Sequence, residues 1–517
     1  MVSPGAGRYR PGRPDGSMSF PDVIVVGSGF GGAVTAARLA QRGLRVLVLE
    51  RGPWWGPAGA EQPHADRRGF PRGPWGIRKL VRGVRWARGR TTRDILLNAD
   101  GLVEVHSFEH LDAVTGSGVG GGSLIYTNVL EAPDDDFFAA FPPELSAVEV
   151  RPYVDRVRAV LRPVPLPAPL PDKNLAFERA AVEADLGVPR YPELAIRFGT
   201  SPAVREPGLN AAGVLQSTCT HCGSCVLGCP ERAKTTMDLT YVPVALRHGA
   251  GLLPLCEVVA IGCEGDRYQV RYRDHRTGAM HQVGAPRVVL AAGSMNTMRL
   301  LFQARDRHRT LPGVSPALGR RFSPNADLLG LILGTPMLAD GGEGPALNAF
   351  VRIEREGRLR FIVGEVGLPL AALPLPRVLR RRVARATGLI AMGRDASAGA
   401  IEYDGRGLRS TVGRAMDPTL FDDIEAALAR VAQPYRARRV WLNAPSGRGA
   451  SRLGTVHPLG GCAVGRSRED GVVDHLGQVF GHPGLYVADG SLYPRSPGVP
   501  PSLTIAALAE RQAALME

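Results

Sequence analysis

Residues 22–50 read DVIVVGSGFGGAVTAARLAQRGLRVLVLE. Asp22–Val26 and Leu44–Leu49 are short apolar runs of the kind that form parallel strands buried on both faces. Between them, Gly27-Ser28-Gly29-Phe30-Gly31-Gly32 fits GxGxxG and opens an alanine-rich helix from about Gly31 to Arg42. The order strand, glycine turn, helix, strand is a β-α-β unit. Gly27 permits the tight turn, Gly29 lets the backbone approach a pyrophosphate, and Gly32 lets the helix pack closely on the strand. The helix N-terminus then faces the phosphates. Glu50 lies 18 residues beyond Gly32, at the end of the second strand, where it accepts hydrogen bonds from a ribose. An acid there suits an adenosine ribose without a 2′-phosphate and disfavours NADP. A lone GxGxxG is a weak signal. Together with its two strands, helix and terminal acid it predicts a dinucleotide site rather than an unliganded glycine turn.

This unit sits in a chain of 517 residues. At about 150 residues per domain that leaves room for some three structural units and a large core. Hydrophobic residues make up 44% and charged residues 22%, which excludes a disordered chain and a disulfide miniprotein. No run of 18 apolar residues occurs, so no transmembrane helix is expected. The net charge is +14, and all of the 63 basic residues except Lys79, Lys173 and Lys234 are arginine. With the richness in Ala, Gly and Pro, that bias points partly to a GC-rich genome. The arginines are scattered without an aromatic-interleaved stripe, so nucleic acid is not an expected partner. Residues 1–19 lack an apolar h-region and read as a disordered arm rather than a secretory signal. Seven cysteines, an odd number, argue against a disulfide framework. A cytoplasmic location is expected.

Further along, Trp54 to Arg93 is rich in Gly, Pro, Trp and Arg and reads as irregular. Pro163 to Pro171 alternates proline with small apolar residues, an extended connector. Arg287–Ala292 is a buried strand ending in Gly293, and residues 484–490 (GLYVADG) are another. From about Ala317 to Gly449 strands and hairpins are expected. Ile401–Tyr403 followed by Asp404-Gly405 is one hairpin signal. Asp417 caps a helix with Pro418 in its first turn and Phe421, Ile424, Leu428 and Val431 on one face. Ser502–Ala514 is the closing helix.

Four further segments carry a resemblance. Gly118-Val119-Gly120-Gly121-Gly122-Ser123-Leu124 resembles the second flavin-contacting loop of glucose–methanol–choline (GMC) oxidoreductases. VVLAAGS at 288–294 is similar to their strand under the flavin, HPLGGC at 457–462 to their active-site histidine motif, and LYVADGSLYPRSPGVPPSLTIAALAER at 485–511 to their closing segment. The wording is nearest the cholesterol oxidase branch. The resemblance implies an α/β fold: a Rossmann-type FAD domain from discontinuous segments plus a substrate domain with an antiparallel sheet and covering helices. On that footing, residues 20–130, 231–316 and 451–517 form the FAD-binding domain. Residues 131–230 are an inserted region with the polyproline connector and the cysteine loop, and residues 317–450 form the substrate-binding domain. FAD contacts are implied at Gly27, Gly29, Gly32, Glu50, Gly120, Gly121, Gly122, Ser123, Asp489 and Gly490. His457 is implied as the acid–base histidine beside the flavin. Glu365 matches the carboxylate that shuttles a proton for double-bond isomerisation in the sterol branch; its other reading is an ordinary strand glutamate.

Two departures from the family pattern stand out. Pro500 occupies the position of the second catalytic residue, usually Asn or His, and proline has no side-chain donor or acceptor. After Ser123, where the sterol branch has an Asn three residues on, this chain has Tyr126, with Asn128 two further along.

Cys219-x2-Cys222-x2-Cys225-x3-Cys229-Pro230 matches the bacterial ferredoxin run and predicts an iron–sulfur cluster acting as an electron exit. Inert reduced thiols are the competing reading, with zinc or disulfides behind both. Leu368, Leu370, Leu373 and Leu375 precede Arg377, Arg380, Arg381, Arg382 and Arg385. That stretch reads first as a solvated basic helix beside a core segment and second as a lid touching an anionic membrane. The expectation as a whole is an FAD-dependent oxidoreductase that oxidises an alcohol on an apolar, sterol-like or polycyclic substrate, with O2 or another electron acceptor. The alternatives are a flavin dehydrogenase of specialised metabolism with non-standard chemistry, and a flavin and iron–sulfur electron carrier.

Overall fold

In the computed structural model, residues 20–57, 67–338, 340–369 and 384–516 are described. The expected arm at 1–19 and most of the leucine and arginine stretch, 370–383, lie outside the described residues.

The strands Val23–Val26 and Val46–Leu49 form as expected and are buried at every position. They sit in a five-stranded sheet in the order Leu485–Val487, Arg287–Leu290, Val23–Val26, Val46–Leu49, Gly251–Leu253, with all neighbours parallel. Three distant segments of chain therefore meet edge to edge. Uninterrupted Val, Ile and Leu is what such a sheet requires, because helices or loops cover both faces. The helix Phe30–Gln41 packs against the closing helix Ser502–Leu515, and Arg38 donates to Glu510 at 2.7 Å. The closing helix is buried over most of its length, so the final segment of chain belongs to this core.

A second sheet is antiparallel, in the order Phe350–Arg355, Arg358–Val366, Ala386–Gly393, Leu328–Leu333, Arg439–Trp441. The helix Pro418–Ala432 covers it, burying Phe421, Ile424, Leu428 and Val431, with the Asp417 carboxylate accepting from the Leu420 amide at 3.3 Å. The hairpin after Ile401 also forms, pairing Ile401–Tyr403 with Leu408–Ser410.

A third sheet corrects the reading of Trp54–Arg93 as irregular. It contains Val81–Arg88 and Thr91–Leu96, joined to Val103–Phe108, Leu111–Gly116 and Leu453–Thr455. Beside apolar side chains such as Phe108, Leu111 and Ala113, its inward positions carry charge. Arg82 is fully buried and pairs with Glu257 at 2.8 Å, and Arg85 pairs with Glu104 at 3.1 Å. The second and third sheets position the chemistry. Leu328–Leu333 begins directly after Asp327, and Leu453–Thr455 ends two residues before His457.

Candidate active site

The two glycine loops are pressed together. Gly27 has φ +98°, and a Cβ there would lie 2.3 Å from the Ala291 carbonyl oxygen on the neighbouring strand. A Cβ on Gly31 would lie 1.6 Å from the Ala488 carbonyl oxygen, a close approach the sequence reading did not single out. Gly29 caps the helix. The Cα of Gly29 faces Gly121, whose added Cβ would stand 2.6 Å from it. The Ser28 hydroxyl accepts from the Gly120 amide at 3.1 Å and donates to Glu50 Oε2 at 2.8 Å. Glu50 Oε1 accepts from the Gly52 and Gly118 amides. Ser123 Oγ donates to the Gly120 carbonyl at 2.7 Å and accepts from the Met237 amide. Asp489 Oδ2 accepts from the Gly293 amide and the Thr297 hydroxyl, Oδ1 from Ser491, and burial pushes its carboxyl above the usual range. The Gly490 carbonyl accepts from the Gly460 amide at 2.9 Å, which ties this turn to the histidine motif. Gly27, Gly29, Gly32, Glu50, Gly120, Gly121, Gly122, Ser123, Asp489 and Gly490 thus belong to one connected set of loops.

These residues fit a dinucleotide cofactor. A Cβ at Gly122 or Gly293 would meet nothing within 4 Å, so open space lies beside both loops. The hydroxyls of Ser117 and Ser294 and both amide atoms of Asn128 are buried without a hydrogen-bond partner. Buried polar groups are seldom left so unless a bound group or water satisfies them. Asn128 sits at φ +72° in the stretch that follows the second glycine loop.

The His457 side chain is 18% exposed. Its Nδ1 lies 3.0 Å from both oxygens of Asp327. The Asp327 carboxylate also accepts from the Thr455 hydroxyl at 2.8 Å and the Val456 amide at 3.0 Å. Sequence reasoning missed Asp327, which lies in a loop 130 residues from its partner and belongs to no motif. Next to it, Asn325 Oδ1 accepts from the Ser496 hydroxyl and the Gly498 amide, and its Nδ2 donates to the Val499 carbonyl. The turn 323–327 therefore holds the histidine through one residue and the segment leading to Pro500 through another. Val499 is buried in an apolar cluster with Phe350, Leu359, Ile362 and Met392.

Glu365 stands in a sealed polar cluster. Lys173 Nζ donates to both of its oxygens, at 2.8 and 2.7 Å, and both side chains have no solvent exposure. Asn174 Nδ2 donates to Glu365 Oε1 at 3.3 Å and to Asn348 Oδ1 at 2.6 Å. Burial pushes the Glu365 carboxyl up while Lys173 opposes it. A carboxylate held on both oxygens by a buried ammonium has the form of a structural ion pair, not of the free proton shuttle that the resemblance implied.

Cys219, Cys222, Cys225 and Cys229 line one recess of about 20 Å³ beside Lys234, room for about one water molecule. Lys234 Nζ donates to the carbonyls of Leu124, Tyr126 and Cys225, which ties this loop to the second glycine loop. Burial pushes the Cys229 thiol up to about 11, the Cys219 thiol higher still, and Lys234 down to about 8. Among the described residues no group of three or more His, Cys, Asp or Glu is placed to hold a metal ion. The expectation of an iron–sulfur cluster is therefore not supported by this arrangement, which is one of free thiols, with Cys225 buried, Cys219 and Cys229 half-buried and Cys222 exposed. Among the described residues no helix is long and apolar enough to cross a membrane.

A family model described as GMC oxidoreductase matches residues 24–322, and a second with the same description matches residues 419–509. The chain is 28% identical to a cholesterol oxidase of Mycobacterium tuberculosis, over 96% of this chain and 90% of that protein. It is 26% identical to a 2-methyl-1,2-propanediol dehydrogenase of Mycolicibacterium austroafricanum, over 95% and 94%. Among solved structures it is similar in fold to pyridoxine 4-oxidase from Mesorbium loti, with a TM-score of 0.63 at 18% identity, over 96% of this chain and 99% of that one.

Proposed function

The chain belongs to the GMC oxidoreductase family, and from that premise we propose that it uses FAD to oxidise the CH–OH group of an apolar, sterol-like or polycyclic alcohol. Gly27, Gly29, Gly32 and the start of the helix at Phe30 would hold the pyrophosphate, and Glu50 the ribose. Gly120, Gly121, Gly122, Ser123, Asp489 and Gly490 would line the flavin end. When bound, the flavin supplies a hydride acceptor for the carbinol carbon.

The observation that carries the reading is the arrangement of His457. Its Nδ1 is engaged by a carboxylate, so Nε2 is the nitrogen left to take a proton. The histidine accepts the hydroxyl proton as the carbon–hydrogen bond breaks, and the carbinol becomes a carbonyl. The choice of an apolar substrate is supported by the wording of the closing segment, 485–511, which is nearest the cholesterol oxidase branch. The similarity to a cholesterol oxidase supports the same choice, whereas the propanediol dehydrogenase is the relative that argues for a smaller alcohol.

The test is anaerobic bleaching of the flavin by sterols, polycyclic secondary alcohols and short diols, followed by reoxidation with O2 or a dye. Fastest bleaching by the apolar secondary alcohols is the expected result. Preference for short diols overturns the substrate class, and a holoprotein bleached by no alcohol overturns the reaction.

A further inference from the structure

We infer that Asp327 is the positioning residue for His457, fixing the tautomer and direction of its ring by a charged contact. The inference rests on the alcohol-oxidising reading above. Three observations meet in it. The Asp327 carboxylate is 4% exposed and acceptor-only when ionised. It is surrounded by donors: the Thr455 hydroxyl, the Val456 amide and His457 Nδ1, all within 3.0 Å. Pro500 has no side-chain donor or acceptor, which leaves the His457 ring as the acid–base group that the closing segment and the histidine motif supply.

An acceptor at Nδ1 requires the hydrogen to reside there. The neutral imidazole is then the Nδ1–H tautomer, with the lone pair on Nε2, which has no partner among the described residues. Without that acceptor the ring would divide between two tautomers and turn about its Cβ–Cγ bond. Thr455 makes the mount stiff. Its hydroxyl donates to Asp327 at 2.8 Å and to the Pro324 carbonyl at 2.9 Å as alternatives, and accepts from the His457 amide at 2.8 Å. Antiparallel bonds between Ser323 and Leu459, 2.9 Å each way, brace the same two segments.

The step balances without a second base. One proton passes from the substrate hydroxyl to His457 Nε2, the hydride leaves the carbinol carbon with its electron pair to the family's flavin, and a C=O bond forms. The imidazolium left behind is paired with Asp327. Asp327 touches neither substrate nor cofactor; it acts through the ring it holds.

Two readouts test this on the holoprotein. In wild-type protein labelled with ¹⁵N-histidine, the His457 signals, assigned by their loss in His457→Gln, are expected to show hydrogen on Nδ1 in the neutral form. In Asp327→Asn that tautomer should lose its dominance, because an amide can donate to Nδ1 as well as accept. Flavin reduction should fall about 10²- to 10⁴-fold, with substrate binding and FAD content little changed. Hydrogen on Nε2 in the wild type overturns the inference without any variant. Unchanged flavin reduction in a folded Asp327→Asn also overturns it. Should Asp327→Asn fail to fold, the wild-type tautomer decides alone. A protein with the expected tautomer that no alcohol reduces would defeat the proposed reaction while leaving the positioning geometry supported, so the two failures are distinguishable.

Discussion

Replacing Glu365 with glutamine separates structure from chemistry at the carboxylate that the sterol resemblance singles out. Lys173 and Glu365 have zero side-chain exposure and meet at 2.7 Å. Glutamine keeps the shape and one acceptor, but leaves the ammonium without a countercharge in a site water does not reach. Breaking a buried pair by removing one partner costs about 3–5 kcal/mol, a large share of a total stability of roughly 5–15 kcal/mol. Removing both charges together, in Lys173→Met with Glu365→Gln, is expected to recover most of the loss, since no unpaired charge remains. The assay is urea unfolding followed by circular dichroism, run beside flavin reduction by alcohol normalised to bound flavin. The structural reading expects a midpoint well below wild type in Glu365→Gln, partial return in the double variant, and near wild-type reduction per folded holoprotein. A Glu365→Gln protein with the wild-type midpoint and flavin reduction down a hundredfold or more would refute it and restore the carboxylate to the chemistry.

Three further outcomes are expected. Gly31→Ala places a methyl group 1.6 Å from the Ala488 backbone oxygen, so the helix must lift off the strand, and the protein should purify with little FAD; full flavin occupancy by absorbance would count against the packing. Lys234 loses its proton at about 8 when folded, against about 10.4 when unfolded, so between those values the unfolded state binds more protons and this group's contribution makes stability rise with pH, by at most about 3 kcal/mol. The urea midpoint of wild type minus that of Lys234→Met should climb between pH 8 and 10, and a flat difference rejects the assignment. Pro500→Asn restores a side-chain donor and acceptor at the second catalytic position of the family pattern, so it should raise flavin reduction by up to the roughly 10- to 100-fold that a hydrogen bond to a charged group is worth; stopped-flow bleaching with no gain would show that position 500 does not limit the reaction.

The parts of this fold that were readable from the residues are those in which sterics dictate the residue type. At Gly27 the left-handed φ and the Ala291 carbonyl leave no room for a side chain, so the glycine is written into the chain and can be read back out of it. The parallel strands are readable for a similar reason: a strand covered on both faces admits little besides Val, Ile and Leu. The hairpin Val81–Leu96 was lost because its sheet buries charge. With Arg82 and Arg85 turned toward Glu104 and Glu257, the alternation of apolar and polar residues that announces a strand is absent.

The active site divides along the same line. His457 was recognised because it stands in a motif whose glycines, Gly460 and Gly461, must clear the Arg321 backbone and the Met298 side chain. Asp327 has no such constraint around it in sequence. What selects an aspartate there is a ring nitrogen, a hydroxyl and an amide brought from 130, 128 and 129 residues away, and that requirement exists only after the second and third sheets have met. Pro500 was legible as a departure from the family pattern, a position without a side-chain donor or acceptor. Asp327 needed coordinates, because one aspartate in a loop is an ordinary turn residue until the partner of its carboxylate is known. Glu365 is only half legible for the same reason: its position in a strand matches a catalytic carboxylate, while Lys173, the partner that gives it the form of an ion pair, lies 192 residues away.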